Sequence, residues 1–320
     1  MSDRAAVAFL ASVPLLEGLE EVDLVELARV MRRRTLQEGE ILWRQGEAAR
    51  ELLFVIDGTV EASLQVLGDR TAEIGRAGPR DVLGEIALLD GLGHTMTVRA
   101  TEAATVLALG QPDFAALLGG QHPTAFRLKR RLARLLVARL RGQLGHLAAS
   151  LGDGPDEAAA PAPAELEPCR PPDSKYVRRM ATFHDFDPLA LWGFLTSGKY
   201  VRCARGRTLV AEGAASTAYY LTINGAVETV LVRGDRRIRI GLAGPGMAFG
   251  YEGLIDGRPS PVAAVTRERA VLLALPRDVF DRLFHSEDAV SRVFLEAIQR
   301  DLLATLRQTL RPYARLAASV

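Results

Sequence analysis

The stretch "GPRDVLGEIALLDG", residues 78–91, returns as "GPGMAFGYEGLIDG", residues 244–257. That recurrence organises the whole sequence. Working outward, Gly84, Asp90, Gly91, Leu109, Phe114 and Leu117 reappear 166 positions on as Gly250, Asp256, Gly257, Leu275, Phe280 and Leu283. Upstream, Gly39, Gly46 and Gly58 reappear 167 positions on as Gly206, Gly213 and Gly225. A near-constant offset across so many anchors makes the chain a tandem repeat, and a repeat has to be recognised before any local reading.

Between the anchors, "LLFVIDGTVEASL" (52–64) matches "YYLTINGAVETVL" (219–231). Each reads as a strand, a tight Asp-Gly or Asn-Gly turn and a second strand, with glycine supplying the positive φ of the turn. Short strands at such turn spacings predict a mainly β fold of the sandwich or small-barrel type, once per repeat. Helices flank it. In "QPDFAALLGG" (111–120) and "LPRDVFDRLF" (275–284) a proline opens a short amphipathic helix. Longer apolar-periodic segments follow at about 123–150 and 286–310, and Pro312 marks where the second is expected to stop. Residues 152–173, rich in alanine, proline and acid, have the composition of a semi-stiff linker. The expected organisation is a first domain over 1–150 with its long C-terminal helix, a linker over 151–173, and a second domain over 174–320.

The 40 basic and 39 acidic side chains nearly cancel, so no global field selects nucleic acid or anionic lipid. Cys169 and Cys203 stand far apart with no C-x-x-C spacing, which excludes a disulfide framework and a thiolate metal site and fits a cytoplasmic protein. The apolar run "AAVAFLASVPLL" (5–16) is followed by acid and reads as a folded helix and turn, not a secretory segment. No apolar run reaches the ~18 residues that span a bilayer. His122, His146, His184 and His285 are scattered without metal-ligand spacing.

Glycine-turned strands, then a loop of the form G-E-I-A-L-L, then a charged or hydroxyl-bearing step ten residues from that glycine, then a helix: this order resembles the cyclic nucleotide-binding domain family. That family includes the regulatory subunits of cyclic-AMP-dependent protein kinase and the sensor domain of the catabolite activators. The resemblance implies two tandem jelly-roll domains of mainly β structure with flanking helices, and a cyclic nucleotide, cyclic AMP or cyclic GMP, as ligand. A short helix after a glycine offers free backbone N–H groups to a phosphate. In the family a glutamate accepts the ribose hydroxyl and an arginine pairs with the cyclic phosphate. Carried over, Gly84 and Glu85 match, Ile86 and Ala87 stand where the backbone amides would be, and Thr95 supplies a hydroxyl. His94 takes the arginine's place. In the second repeat Gly250 matches, but Tyr251 replaces the glutamate, Glu252 is shifted by one, and Ser260 replaces the arginine. The second pocket is therefore expected to hold no cyclic nucleotide.

Histidine for arginine exchanges a permanently charged, two-pronged donor for a single donor that is mostly neutral above its reference pKa of about 6.5. A hydrogen bond to a charged group is worth ~1.5–3 kcal/mol, which at about 1.4 kcal/mol per decade is some ten- to hundredfold in affinity. Weak binding in the first domain only is the expectation. Taken alone, Glu85 reads equally as a carboxylate stabilising a helix N-terminus.

Residues 127–141 carry Arg127, Lys129, Arg130, Arg131, Arg134, Arg139 and Arg141 among regularly spaced leucines. Such a helix either contacts an anionic partner or buries its leucines and solvates its arginines. "RRMA" at 178–181 has the look of a kinase pseudosubstrate, although it lies between the repeats. No sequence signature of an enzyme is present, and no helix-turn-helix pattern follows either long helix, so sequence-specific DNA binding is not expected. The function that follows is a non-enzymatic sensor acting through a protein partner, with a homodimer through the long helices as a further expectation. The alternative keeps the fold and drops the ligand: an assembly scaffold with both pockets vestigial.

Overall fold

A computed structural model describes residues 3–66, 70–120, 122–151, 164–178, 180, 183, 187–233 and 236–319. Most of the expected linker (152–163), His184, and Arg179 and Ala181 of "RRMA" lie outside the described residues.

The first repeat opens with α1 (Asp3–Ala11), a 3₁₀ turn (Pro14–Leu16) and α2 (Glu21–Val30). Strands β1 (Arg32–Leu36), β2 (Ile41–Trp43), β3 (Glu51–Asp57), β4 (Val60–Gln65), β5 (Thr71–Ala77) and β6 (Val82–Leu83) lead to the short helix α3 (Glu85–Asp90). Then come β7 (Thr97–Ala100), β8 (Ala104–Gly110), α4 (Gln111–Gly119) and α5 (Pro123–Ala149). The second repeat has β9 (Glu167–Pro168), α6 (Ser174–Arg178), α7 (Pro188–Thr196), β10 (Lys199–Cys203), β11 (Thr208–Val210), β12 (Ala218–Asn224), β13 (Val227–Arg233), β14 (Arg236–Ala243) and β15 (Ala248–Phe249). It ends with α8 (Glu252–Asp256), β16 (Ala263–Thr266), β17 (Ala270–Pro276), α9 (Arg277–His285) and α10 (Ala289–Ser319). The apolar run near the start is thus the helix and turn expected of it, with Leu10, Val13, Leu15 and Leu16 buried.

Each repeat folds as two antiparallel sheets. In the first they run β1-β8-β3-β6 and β2-β7-β4-β5; in the second, β9-β10-β17-β12-β15 and β11-β16-β13-β14. Strand β3 shows why its sequence is apolar without a break. Leu53 and Val55 face Val60, Val98 and Val106 inside the sandwich, while Leu52 and Phe54 face Leu10, Leu24, Phe114 and Leu132 of the flanking helices. A strand buried on both faces reads as a continuous hydrophobic run.

The strand, tight turn and strand expected at Asp57-Gly58 are present; β3 pairs with β6 and β8, and β4 with β5 and β7, so the turn carries the chain from one sheet to the other. Gly58 has φ +81°, and a Cβ there would lie 2.6 Å from Ala103 O and Ala104 Cα, so backbone crowding as well as φ demands glycine. Helix α10 does not stop before Pro312 but continues through it. Proline removes one N–H from the helical ladder, a loss that neighbouring packing can absorb near a helix end.

By packing, the chain forms two compact units, Met1–Leu135 with Tyr313–Val320, and Leu136–Pro312. The boundary falls inside α5, whereas the sequence repeats divide at the linker. Within the second unit Leu136, Val137, Leu140, Leu144 and Leu147 are all buried.

Candidate functional site

The loop between β6 and β7 of the first unit begins at Gly84, whose φ of +93° turns the chain into α3; Gly91, φ +68°, ends the helix, and its N–H donates to Ala87 O. A Cβ on Gly84 would stand 2.8 Å from Glu51 O of the neighbouring strand, so the loop is pressed against β3 at this point. Glu85, Ile86 and Ala87 form the first turn and are all buried, Glu85 at 3 % exposure. Glu85 is thus not a surface carboxylate, although it still stands in the first turn of the helix.

His94 is buried as well, at 7 % exposure, and its position is set by main chain. Its N–H donates to Glu47 O at 2.8 Å, and its carbonyl accepts from Gly46 N at 2.8 Å. Thr95 is half-buried beside it. Two residues on, Thr97 Oγ1 accepts from Gln45 N at 3.1 Å, so the turn after β2 is joined to this loop along its length. The imidazole lies flat on Trp43 of β2, ring centroids 4.1 Å apart and planes 9° from parallel. Trp43 carried no motif in the sequence; only the pairing of β2 with β7 brings it to the site.

The second unit repeats the backbone with different side chains. Ser260 N donates to Ala214 O at 2.8 Å and Ser260 O accepts from Gly213 N at 2.9 Å, the same two bonds that hold His94. The equivalence of His94 and Ser260 read from spacing is therefore matched bond for bond. Gly250 keeps φ +81°, but helix α8 starts two residues later, with Tyr251 at its N-cap. Tyr251 is 2 % exposed and packs on Tyr219, ring centroids 5.5 Å apart. Tyr219 continues into a cluster with Phe194, Phe280 and Phe294. The Ser260 hydroxyl donates to Val262 O at 2.8 Å.

Glu252 does enter a cavity of this unit, walled by Leu140, Leu144, Ile240 and Phe249 and lined also by Thr229, Thr305 and Gln308; none of its described lining residues is cationic. Glu252 is buried and its Oε2 has no hydrogen-bond partner. Burial pushes its carboxyl above the ordinary range, against the pull of its own backbone N–H and of Arg141. Asp301, buried on α10, is pushed up more strongly by the same cause, while its Oδ2 accepts from Ala248 N at 3.0 Å. Burial thus keeps both carboxyls neutral to higher pH than an exposed acid.

The basic helix is consumed by internal contacts. In the first unit Arg131 meets Glu17 at 2.7 Å and Arg127 donates to Gly18 O at 3.1 Å. In the second, Arg141 grips Asp256 with both Nε and Nη2. Lys129, Arg130, Arg134 and Arg139 are engaged too. Among the described residues no helix is long and apolar enough to cross a membrane, and no cluster of three or more His, Cys, Asp or Glu side chains could hold a metal ion.

The chain is 34 % identical over 104 residues to a cyclic nucleotide-gated potassium channel of Mesorhizobium japonicum, covering 32 % of this chain and 27 % of the channel. A cyclic nucleotide-gated potassium channel of Rhizobium etli is 32 % identical over 104 residues, covering 32 % and 28 %. The chain thus spans less than a third of the length of these relatives. Among solved structures, the regulatory domain of Toxoplasma gondii PKA with cAMP aligns over 89 % of this chain and 93 % of its own, at 18 % identity and a TM-score of 0.36. The sequence pattern of the cyclic nucleotide-binding domain matches twice, over residues 33–120 and 200–287, together more than half of the chain. The chain therefore belongs to the cyclic nucleotide-binding domain family and carries that domain in tandem.

Proposed function

We propose that the chain is a non-enzymatic regulatory protein that takes a cyclic nucleotide in its first domain alone and acts on a protein partner. The observation that carries this reading is the contrast between two loops on one backbone plan. Where the first places a buried carboxylate, Glu85, and a buried imidazole, His94, the second places Tyr251, packed on Tyr219, and Ser260, neither of which can carry a carboxylate or a cation. In this reading Gly84, Glu85, Ile86, Ala87, His94 and Thr95 form the ligand site, with Glu85 accepting a hydroxyl and His94 facing the phosphate. The second domain serves as structure, and a homodimer through the long helices belongs to the same proposal.

Because only the protonated imidazole carries charge, affinity for the anionic ligand falls as pH rises through the histidine's pKa. Isothermal titration with cyclic AMP and cyclic GMP at pH 6 and pH 8 tests this. Saturable binding, tighter at pH 6 and lost in both Glu85→Ala and Glu85→Gln, is the expected result. Absence of heat at millimolar ligand at both pH values refutes it and leaves the assembly scaffold as the function.

A further inference from the structure

The stack of His94 on Trp43 is a built feature of the first unit. Gly84 faces both rings: a Cβ there would lie 3.8 Å from Trp43 Cη2 and 3.8 Å from His94 Cε1. The two backbone bonds to Gly46 and Glu47 hold the histidine in register with the indole. The second unit lacks both partners together. Val210 stands against Gly250, its Cγ2 3.0 Å from where a Cβ would be, in the place Trp43 takes beside Gly84, and Ser260 stands for His94. An indole face attracts a cation through its quadrupole and is the best of the aromatic faces at doing so. The imidazolium form gains from the stack what the neutral ring does not.

We propose that Trp43 is the residue that makes His94 usable as an anion-binding cation: the stacked indole favours the imidazolium, and a cyclic phosphodiester reaching His94 binds with uptake of one proton. This rests on the proposed reading of the first domain and adds to it a positioning residue and a charge mechanism. The charged groups on the surrounding elements are largely occupied. Glu47 accepts from Arg44 N, Glu51 pairs with Arg34, Asp90 accepts from Leu92 N, and Arg99 lies 3.9 Å from Glu61. Glu85, on the helix that the loop follows, is the remaining carboxylate and is itself engaged.

The test uses the full chain. The sequence has two tryptophans, so in a Trp192→Phe background Trp43 alone reports, and a stacked imidazolium quenches indole emission. Emission is expected to fall on acidification, and His94→Asn is expected to abolish the fall. The midpoint of His94 is then followed by NMR in wild type, Trp43→Leu and Trp43→Phe. The leucine variant is expected to lower it by roughly 0.5–1 pH unit, with phenylalanine restoring most of the difference. Titration with cyclic AMP should show Trp43→Leu weakening binding by ~3–10-fold at pH 8, where the proton has to be taken up, and by only ~1.5–3-fold at pH 6, where the imidazole is already largely protonated. An unchanged midpoint in Trp43→Leu overturns this inference while leaving the proposed function standing. A shifted midpoint in a protein that binds no cyclic AMP at either pH overturns the proposed function, and with it the ligand half of this inference.

Discussion

Substituting Gly84 by alanine tests whether the phosphate loop is held by its glycine in the way described. Two costs act together. A non-glycine residue at φ +93° occupies the left-handed region, at about 1–2 kcal/mol. The new methyl would also stand 2.8 Å from Glu51 O, a main-chain atom in a central strand that cannot swing aside, and overpacking of this kind costs ~1–3 kcal/mol. The expected loss is therefore about 2–5 kcal/mol, a large share of the ~5–15 kcal/mol that stabilises a typical domain. Gly91, at the other end of the same helix, is an internal control: it too has positive φ, +68°, but nothing lies within 4 Å of its missing Cβ. Gly91→Ala should therefore cost only the ~1–2 kcal/mol of conformation. Urea unfolding in the Trp192→Phe background, followed by Trp43 emission, reads the first unit for both variants. If Gly84→Ala were no more destabilising than Gly91→Ala, the close approach of this loop to β3 would be refuted.

Asp301→Asn should flatten the pH dependence of the second unit. A carboxyl whose folded pKa is raised by burial contributes stability that is fully present below the ordinary carboxylate range and is lost as pH rises through its folded pKa. Relative to wild type, the variant should gain stability as pH is raised from 4 to 8, and a constant difference across that range in urea titrations would contradict the burial of this acid. Arg141→Ala should destabilise the second unit by ~2–4 kcal/mol, because it breaks a two-pronged ion pair with side chains only 12 % and 17 % exposed and strands Asp256. Arg141→Lys should recover little, since an ammonium cannot reproduce the fork; full recovery in thermal unfolding would mean that the pair acts as simple charge.

Reading the sequence located what depends on backbone. Positive φ at Gly58, Gly84, Gly91 and their counterparts left glycines at fixed spacing, and that spacing gave the repeat and the equivalence of His94 with Ser260, while the jelly-roll class followed from the family resemblance. What depends on sheet membership stayed hidden. An Asp-Gly turn has the same local chemistry whether the next strand pairs with the last or joins the opposite sheet, so the turn at Gly58 was legible and the sheet its second strand joins was not. Trp43 sits in a short strand with no periodicity of its own, and its role follows only from the β2–β7 register. Asp301 on a long helix looks like an exposed acid; its burial is a tertiary fact. Pro312 does not end α10, because a proline's local preference is a bias against helix continuation and not a bar to it.

The packing boundary inside α5 bears on how such a gene can be divided. Cloning the second repeat from the linker onward would yield a polypeptide stripped of Leu140 and Leu144, which wall its own cavity, and of Arg141, which holds Asp256 at the end of α8. The first repeat, expressed alone, would carry those same leucines with nothing to cover them. Insertion, duplication or swapping of modules in this chain thus has a natural seam at the middle of a helix, and a recombination event at the linker would separate each half from a piece of itself.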